Sequence, residues 1–346
     1  VFYNTILISM KHTTNSQSSD LAGLYTLSLR MVIGWTYFSA FWRRLILENK
    51  LIPDEKGYIG EKFNHFLPNA LGIKPVIEYL VTHPDALQRS MMIFTIIEAI
   101  VGLLIILGLF TRLMSIGIFS LALGILLGSG WLGTTCLDEW QIGVLGVAGG
   151  FVLFLTGSGP YSLDHYFMKK NKGFTQRKWF QWLGSGNLPV SKPKTLVLAG
   201  SLIIFGLTLY TNQYFHGGVW GTLHNKSVKP KLEISNISHN NSDLKFEVYR
   251  TEGADVYGSF LIGIQVLDKK GNILKELDQK ELSKLSKESI KNHYVAKVKP
   301  GKHSLVIPLG AKADVCFSIH DILQKEEIYT LKLIDISGIE WAESIR

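Results

Sequence analysis

Cysteine is scarce in this chain. Cys136 and Cys316 are the two present, with 179 residues between them, and offer neither a CxxC redox motif nor the paired spacing of a zinc site. Charge is scarce as well, at 18% of 346 residues against 47% hydrophobic, which is too apolar for an ordinary soluble enzyme. Histidine is missing from every long apolar run, which excludes a bis-His haem of the membrane-cytochrome kind. Gly-x-Gly occurs at Gly128, Gly157 and Gly184, but none opens a strand–turn–helix unit with a third glycine, so a Rossmann flavin or nicotinamide site finds no support. No HExxH motif is present, and neither metal, haem nor flavin is expected. No charged n-region followed by an apolar stretch and a small-residue cleavage site opens the chain, so no signal peptide is expected. The net charge is +8, but the cations are scattered through loops and a mixed-charge C-terminal region, so a nucleic-acid partner is not expected.

What the chain has is apolar length. Five segments approach the ~20 residues that a bilayer core demands: Ala22 to Trp42, Met91 to Phe110, Leu113 to Leu132, Ile142 to Tyr161 and Thr195 to Phe215. Arg30 and Glu98 are the charges inside them. Gly124 with Gly128 and Gly146 with Gly150 form small-xxx-small pairs that predict close helix packing. After Phe215 the texture changes to short alternating strands, including 244–249, 258–267, 304–308, 315–319 and 330–336, with one short amphipathic helix over 278–290. The expected fold is an α-helical membrane bundle of four helices plus a fifth transmembrane helix, with a C-terminal all-β, sandwich-like domain. The expected boundaries are a tail over 1–20, a four-helix domain over 21–168 with an interfacial loop over 43–90, a flexible basic connector over 169–194, the fifth helix over 195–215 and the β-rich domain over 226–346.

Counting crossings gives a sidedness rule. The loop after the first span, the loop after the third and the whole C-terminal domain are separated by even numbers of passages, so they share one aqueous side. Residues 164–194 carry seven Lys or Arg and one acid, which favours a cytoplasmic position for that connector and an extracytoplasmic one for the β domain, at the plasma membrane. Three Asn-x-Ser/Thr sequons, at Asn225, Asn236 and Asn240, point the same way.

Several residues are candidates for chemistry. Strand alternation places Asp314, Cys316, Ser318 and His320 on the polar face of their strand, and Cys136 lies in a turn at the membrane surface. On an oxidising side the two thiols form a disulfide or a reactive pair, against the alternative of two unrelated structural thiols. Glu98, an ionisable group within an apolar span, is a functional candidate or half of an ion pair with Arg30, Arg43 or Arg44. Arg43 and Arg44, beside Phe38, Phe41 and Trp42, either hold an anion or a quinone carbonyl or anchor headgroups. Arg30 and Arg112 are expected to snorkel.

The stretches Gly34 to Arg44, Gly57 to Gly60 with Phe63 to Pro68, Gly108 to Arg112, Gly128 to Trp140 and Thr156 to Asp164 resemble the DoxD subunit of archaeal thiosulfate:quinone oxidoreductase, a DoxX-like membrane protein. Val256 to Ser259 and Asp314 to Phe317 resemble its DoxA partner. The resemblance implies that two thiosulfates are joined into tetrathionate and that two electrons pass to a membrane quinone of the caldariella type. Within that expectation Cys136 and Cys316 are the catalytic couple, and Arg43, Arg44, His65 and Lys312 fix the thiosulfate charge. Trp35, Phe38, Trp42 and Glu98 border the quinone. A direct transfer without a cysteine intermediate is the alternative. Rival readings are a non-catalytic membrane subunit that assembles or docks a terminal quinol oxidase, and a quinone reductase acting on protein thiols. The bilayer is a partner throughout, and a homo-oligomer is compatible with the sequence.

Overall fold

The computed structural model describes residues 19–345 apart from 54, 56, 134–137, 241, 256–257 and 323–327. Among the described residues four helices are long and apolar enough to cross a bilayer: α4 (Pro84–Leu107), α5 (Thr111–Ser129), α6 (Asp138–Thr156) and α9 (Pro193–His216). The first expected span is helical but not uniform. Its regular part, α1, is Leu27–Phe41, preceded by a turn at Thr26 and followed by π-helical Trp42–Leu47. The Thr26 hydroxyl donates to the Ala22 carbonyl (3.1 Å), a back-bond that bends a helix. Short elements fill the loops: α2 (Glu61–Phe66), α3 (Lys74–Thr82), α7 (Leu163–Lys169) and α8 (Lys178–Leu183).

The contacts divide the chain into two compact units. One comprises Val1–Lys56, Arg89–Leu126 and Glu139–Gly221, and the other Gly57–Gln88, Leu127–Asp138 and Thr222–Arg346. The second gathers the three stretches that the crossing count assigns to one side.

Within the first unit the helices approach closely at glycine. A Cβ on Gly102 would lie 2.4 Å from the Phe38 amide nitrogen, so α1 and α4 meet there backbone to backbone. Gly146 and Gly150 pack on Ala122 and Phe119 of α5 as the small-residue pattern predicts, whereas Gly124 faces open space. The connector does not run free. Ser162 caps α7 by accepting from the His165 amide (3.1 Å), and Phe180 of α8 is buried among Phe110, Phe174 and Trp179.

In the second unit ten strands are described. Strands β1 (Lys231–His239), β2 (Asp243–Glu252), β8 (Lys312–Ser318) and β5 (Ile290–Asn292) form one sheet in the order β1-β2-β8-β5. The other runs β10 (Glu340–Ser344), β9 (Thr330–Asp335), β3 (Ser259–Leu267), β7 (Leu305–Ile307) and β6 (Lys299–Pro300), with β4 (Ile273–Leu277) paired to β3. All pairings are antiparallel. Inward residues of both sheets, among them Phe246, Val248, Ile264, Val266, Val315 and Leu333, share one core, so the domain is a sandwich. The helix expected over 278–290 shortens to α10 (Gln279–Leu282), closed by a capping box in which Asp278 and Glu281 exchange hydrogen bonds with each other's backbone.

Candidate functional site

Among the described residues of the helical unit, a buried Glu98 pairs with a half-buried Arg44. Arg44 leaves the π-helical end of α1, where the extra residue in the turn re-aims the side chain. Its Nη1 donates to Glu98 Oε2 at 2.6 Å and to Thr95 Oγ1 at 3.1 Å. Thr95 passes the chain on to the Met91 carbonyl (2.7 Å), and the guanidinium lies 5.8 Å from the Phe94 ring centre. Thus Arg44, of the three arginines open from sequence, is the partner of Glu98. Thr95 is the member that sequence reasoning missed, because a threonine one turn before an acid carries no signal of its own. Arg43, one residue away, is exposed and donates to the Ser39 carbonyl at 3.3 Å.

Aromatic side chains run along α1 beside this pair. Phe38 lies 6.0 Å from Trp35, 5.6 Å from Phe41 and 6.1 Å from Trp42, centre to centre. Trp35 and Trp42 are 59% and 41% exposed, so they face outward from the bundle while Glu98 is buried within it. Tyr37, on the opposite side of α1, is buried.

At the other end of the same unit, neither Arg30 nor Arg112 snorkels. Both are buried and satisfy carbonyls freed at chain turns. Arg30 donates to Ser158 (2.7 Å) and Tyr161 (2.6 Å). Arg112 donates to Phe154, Gln181 and Gly186. Asp164 caps α5, accepting from the Phe110 and Thr111 amides and the Thr111 and Ser185 hydroxyls. The partners lie 21 to 131 residues away, which explains why periodicity could not find them.

In the second unit a seam joins α2, the Trp131 turn and the sandwich. Asn64 is fully buried. Its Nδ2 donates to the Gly310 carbonyl (3.0 Å) and its Oδ1 accepts from the Ala296 amide (3.1 Å). Trp131 Nε1 donates to the Phe66 carbonyl (3.2 Å), and the Ser227 hydroxyl donates to the Trp131 carbonyl (3.0 Å). Asn225, the first sequon, spends its side-chain amide on the Gly133 carbonyl (2.7 Å).

His65 lies on this seam, buried, with Nδ1 lacking a hydrogen-bond partner and 3.9 Å from Asp255. Burial, helped by the Lys62 and Arg250 charges and opposed by Asp255, pushes its pKa down to about 4. Burial opposes ionisation of Asp255, yet the Lys62 hydrogen bond (2.6 Å) and charge, with His65, hold its carboxyl below the usual range. Lys62 and Asp255 were not legible in the sequence as site residues.

Lys312 does not join His65. It pairs with Glu247 (3.1 Å) on the outer face of the β1-β2-β8-β5 sheet. There Glu247 and Asp314 stand opposite each other in register, a repulsive arrangement offset by Lys312, by Lys245 on Asp314 (3.2 Å) and by His293 (3.1 Å from Asp314). The donor atoms of Glu247, His293 and Asp314 lie within 4.8 Å of one another, but both carboxylates already have a lysine, so the group is an ion-pair network.

Cys316 lies on the half-exposed face of β8, as alternation predicts, opposite Lys245. It is a free thiol. Burial and Asp243, opposed by Lys245, push its pKa up, away from the thiolate that attacks sulfur. Cys136 lies outside the described residues, so the expected pairing has no geometric support.

Family models described as TQO small subunit DoxD and TQO small subunit DoxA match residues 25–191 and 215–344. No solved structure matches the chain.

Proposed function

Because the chain belongs to the DoxD and DoxA families of thiosulfate:quinone oxidoreductase small subunits, joined in one polypeptide, and is a membrane protein, we propose that it oxidises thiosulfate to tetrathionate and reduces a membrane quinone. Two thiosulfate dianions, one quinone and two protons give one tetrathionate dianion and one quinol. The two sulfane sulfurs join in a new S–S bond, and the electron pair goes to the quinone.

The observation that carries this reading is the Arg44–Glu98 pair, its carboxylate buried in the helical unit, with an outward row of aromatic rings along the same helix as Arg44. A buried ion pair among apolar helices is costly and persists where it has work to do. The aromatic row at Trp35, Phe38 and Trp42 offers a flat apolar surface for a quinone ring of the caldariella type. Arg44 has further N–H donors for a quinone carbonyl, and Glu98 is the group that hands on a proton. Thiosulfate, a dianion, is met by His65 at the seam, where an arriving anion favours protonation of the imidazole. Arg43, being exposed, serves anion capture, and Lys312 is committed to Glu247. Direct transfer and a cysteine couple are the two routes, and the raised pKa of Cys316, which makes it a poorer leaving group from a disulfide, weighs toward the first. The basic connector supports an extracytoplasmic β domain, by the preference of short positive loops for the cytoplasm.

The test uses purified full-length protein with thiosulfate and a short-chain quinone analogue, without added subunits. Thiosulfate-dependent quinol formation is expected, and its absence across pH and quinone type would favour the docking-subunit reading. Glu98→Gln keeps an acceptor for Arg44 but can neither take up nor release a proton, so the quinone step slows by about 100-fold. Unchanged quinone kinetics in that variant would return Glu98 to a structural role.

A further inference from the structure

The connector between α6 and α9 presents charge of one sign. Of its eight ionised residues over 164–194, seven are Lys or Arg, and the single acid, Asp164, is buried and engaged with Phe110, Thr111 and Ser185. All seven cations are exposed. Trp179 and Trp182 are exposed alongside them, and indoles of this kind settle at the headgroup level of a bilayer. The segment links the end of one spanning helix to the start of another, so it lies at a membrane boundary by connectivity alone.

A shallow groove of about 450 Å³ opens where α9 begins, lined by Pro193, Lys194, Val197, Leu198 and Ser201. These positions repeat at three- and four-residue intervals, so they form one stripe of the helix surface. Val197 and Leu198 make the middle of the stripe apolar, Lys194 stands at its head, and Lys192, exposed, is the residue that caps the helix just before it. An apolar stripe headed by two exposed ammonium groups matches one ligand chemistry: an acyl or isoprenoid chain ending in a negatively charged headgroup.

We propose that this groove binds an anionic membrane lipid, its phosphate held by Lys192 and Lys194 and its chain lying along Val197 and Leu198. A zwitterionic lipid is disfavoured, because its own cation would be set beside the ammonium groups of Lys192 and Lys194. Each lysine near an anionic headgroup is worth about fivefold in affinity, so the pair sets a preference of about 25-fold.

Native mass spectrometry of the full-length protein in neutral detergent, titrated with phosphatidylglycerol or phosphatidylcholine, tests the site. The expected result is preferential retention of phosphatidylglycerol, lost by about 25-fold in K192Q/K194Q and kept in K192R/K194R, with unchanged melting temperatures. Glycerol phosphate, which has the headgroup charge but no chain, should displace the lipid poorly. Equal uptake of the two lipids, an undiminished preference in K192Q/K194Q, or displacement by glycerol phosphate at concentrations equal to the lipid's would each overturn the proposal.

Discussion

Asn64→Ala removes a side chain that satisfies two buried backbone groups at once. In its absence the Ala296 N–H and the Gly310 C=O, both buried, lose their partners. Each unsatisfied group costs about 1–3 kcal/mol, so the variant should lose about 2–6 kcal/mol in all. For a unit of this size each kcal/mol moves the melting temperature by roughly 2–4 °C, which predicts a drop of roughly 4–24 °C. Thermal unfolding in detergent, followed by tryptophan fluorescence, reads the change directly, because Trp131 is fully buried in the same unit. Asn69→Ala is the internal control. Asn69 makes two comparable bonds, donating to the Thr251 carbonyl and accepting from Lys226 (both 3.0 Å), but it is half-buried, so water can replace it and the loss should be smaller. A melting temperature for Asn64→Ala within 1 °C of the parent, or a larger loss for Asn69→Ala, would refute the reasoning.

Gly310→Ala should be at least as damaging, since Gly310 has φ +73° and a Cβ there would stand 1.8 Å from the Asn64 carbonyl oxygen. A folded alanine variant with parental melting would show that the seam opens freely. His65 makes stability depend on pH: its folded pKa of about 4 lies below the ordinary 6.5, so the unfolded chain binds the proton first. Stability contributed by neutral His65 is therefore present above about pH 6.5 and is lost as pH falls toward 4, on the order of 3 kcal/mol. His65→Gln should flatten a melting-versus-pH curve in that window, and an unaltered slope would exclude the assignment. Cys316→Ser should keep turnover within about twofold, because a raised pKa leaves little of the thiol as thiolate and makes it a poor leaving group; loss of activity would restore the cysteine couple.

The parts legible in the sequence are those whose physics is local. Apolar length alone identified α4, α5, α6 and α9, and two-residue alternation identified β2, β3, β8 and β9 and the half-exposed face that carries Cys316. Strands of two or three residues, such as β5 and β6, are too short to show a period. The basic connector looked flexible because its helices are short and bounded by glycine; it is ordered by Arg112, whose acceptors come from three separate stretches. For the site, Glu98 announced itself as a charge in an apolar span. Its partner could be narrowed to three arginines, and only the π-helical turn after Phe41 selects Arg44. The setting of His65 was hidden altogether, because Asp255 comes from a loop 190 residues further along.

Asn64 is matched to residues 232 and 246 positions later, and this fixes the order in which the molecule can be built. The early loop emerges during synthesis with its amide unsatisfied, and it stays that way while the remaining helices are threaded. Contacts that distant in the chain form slowly, so the first loop reaches its final state late in folding, once the sandwich has brought residues 296 and 310 to it.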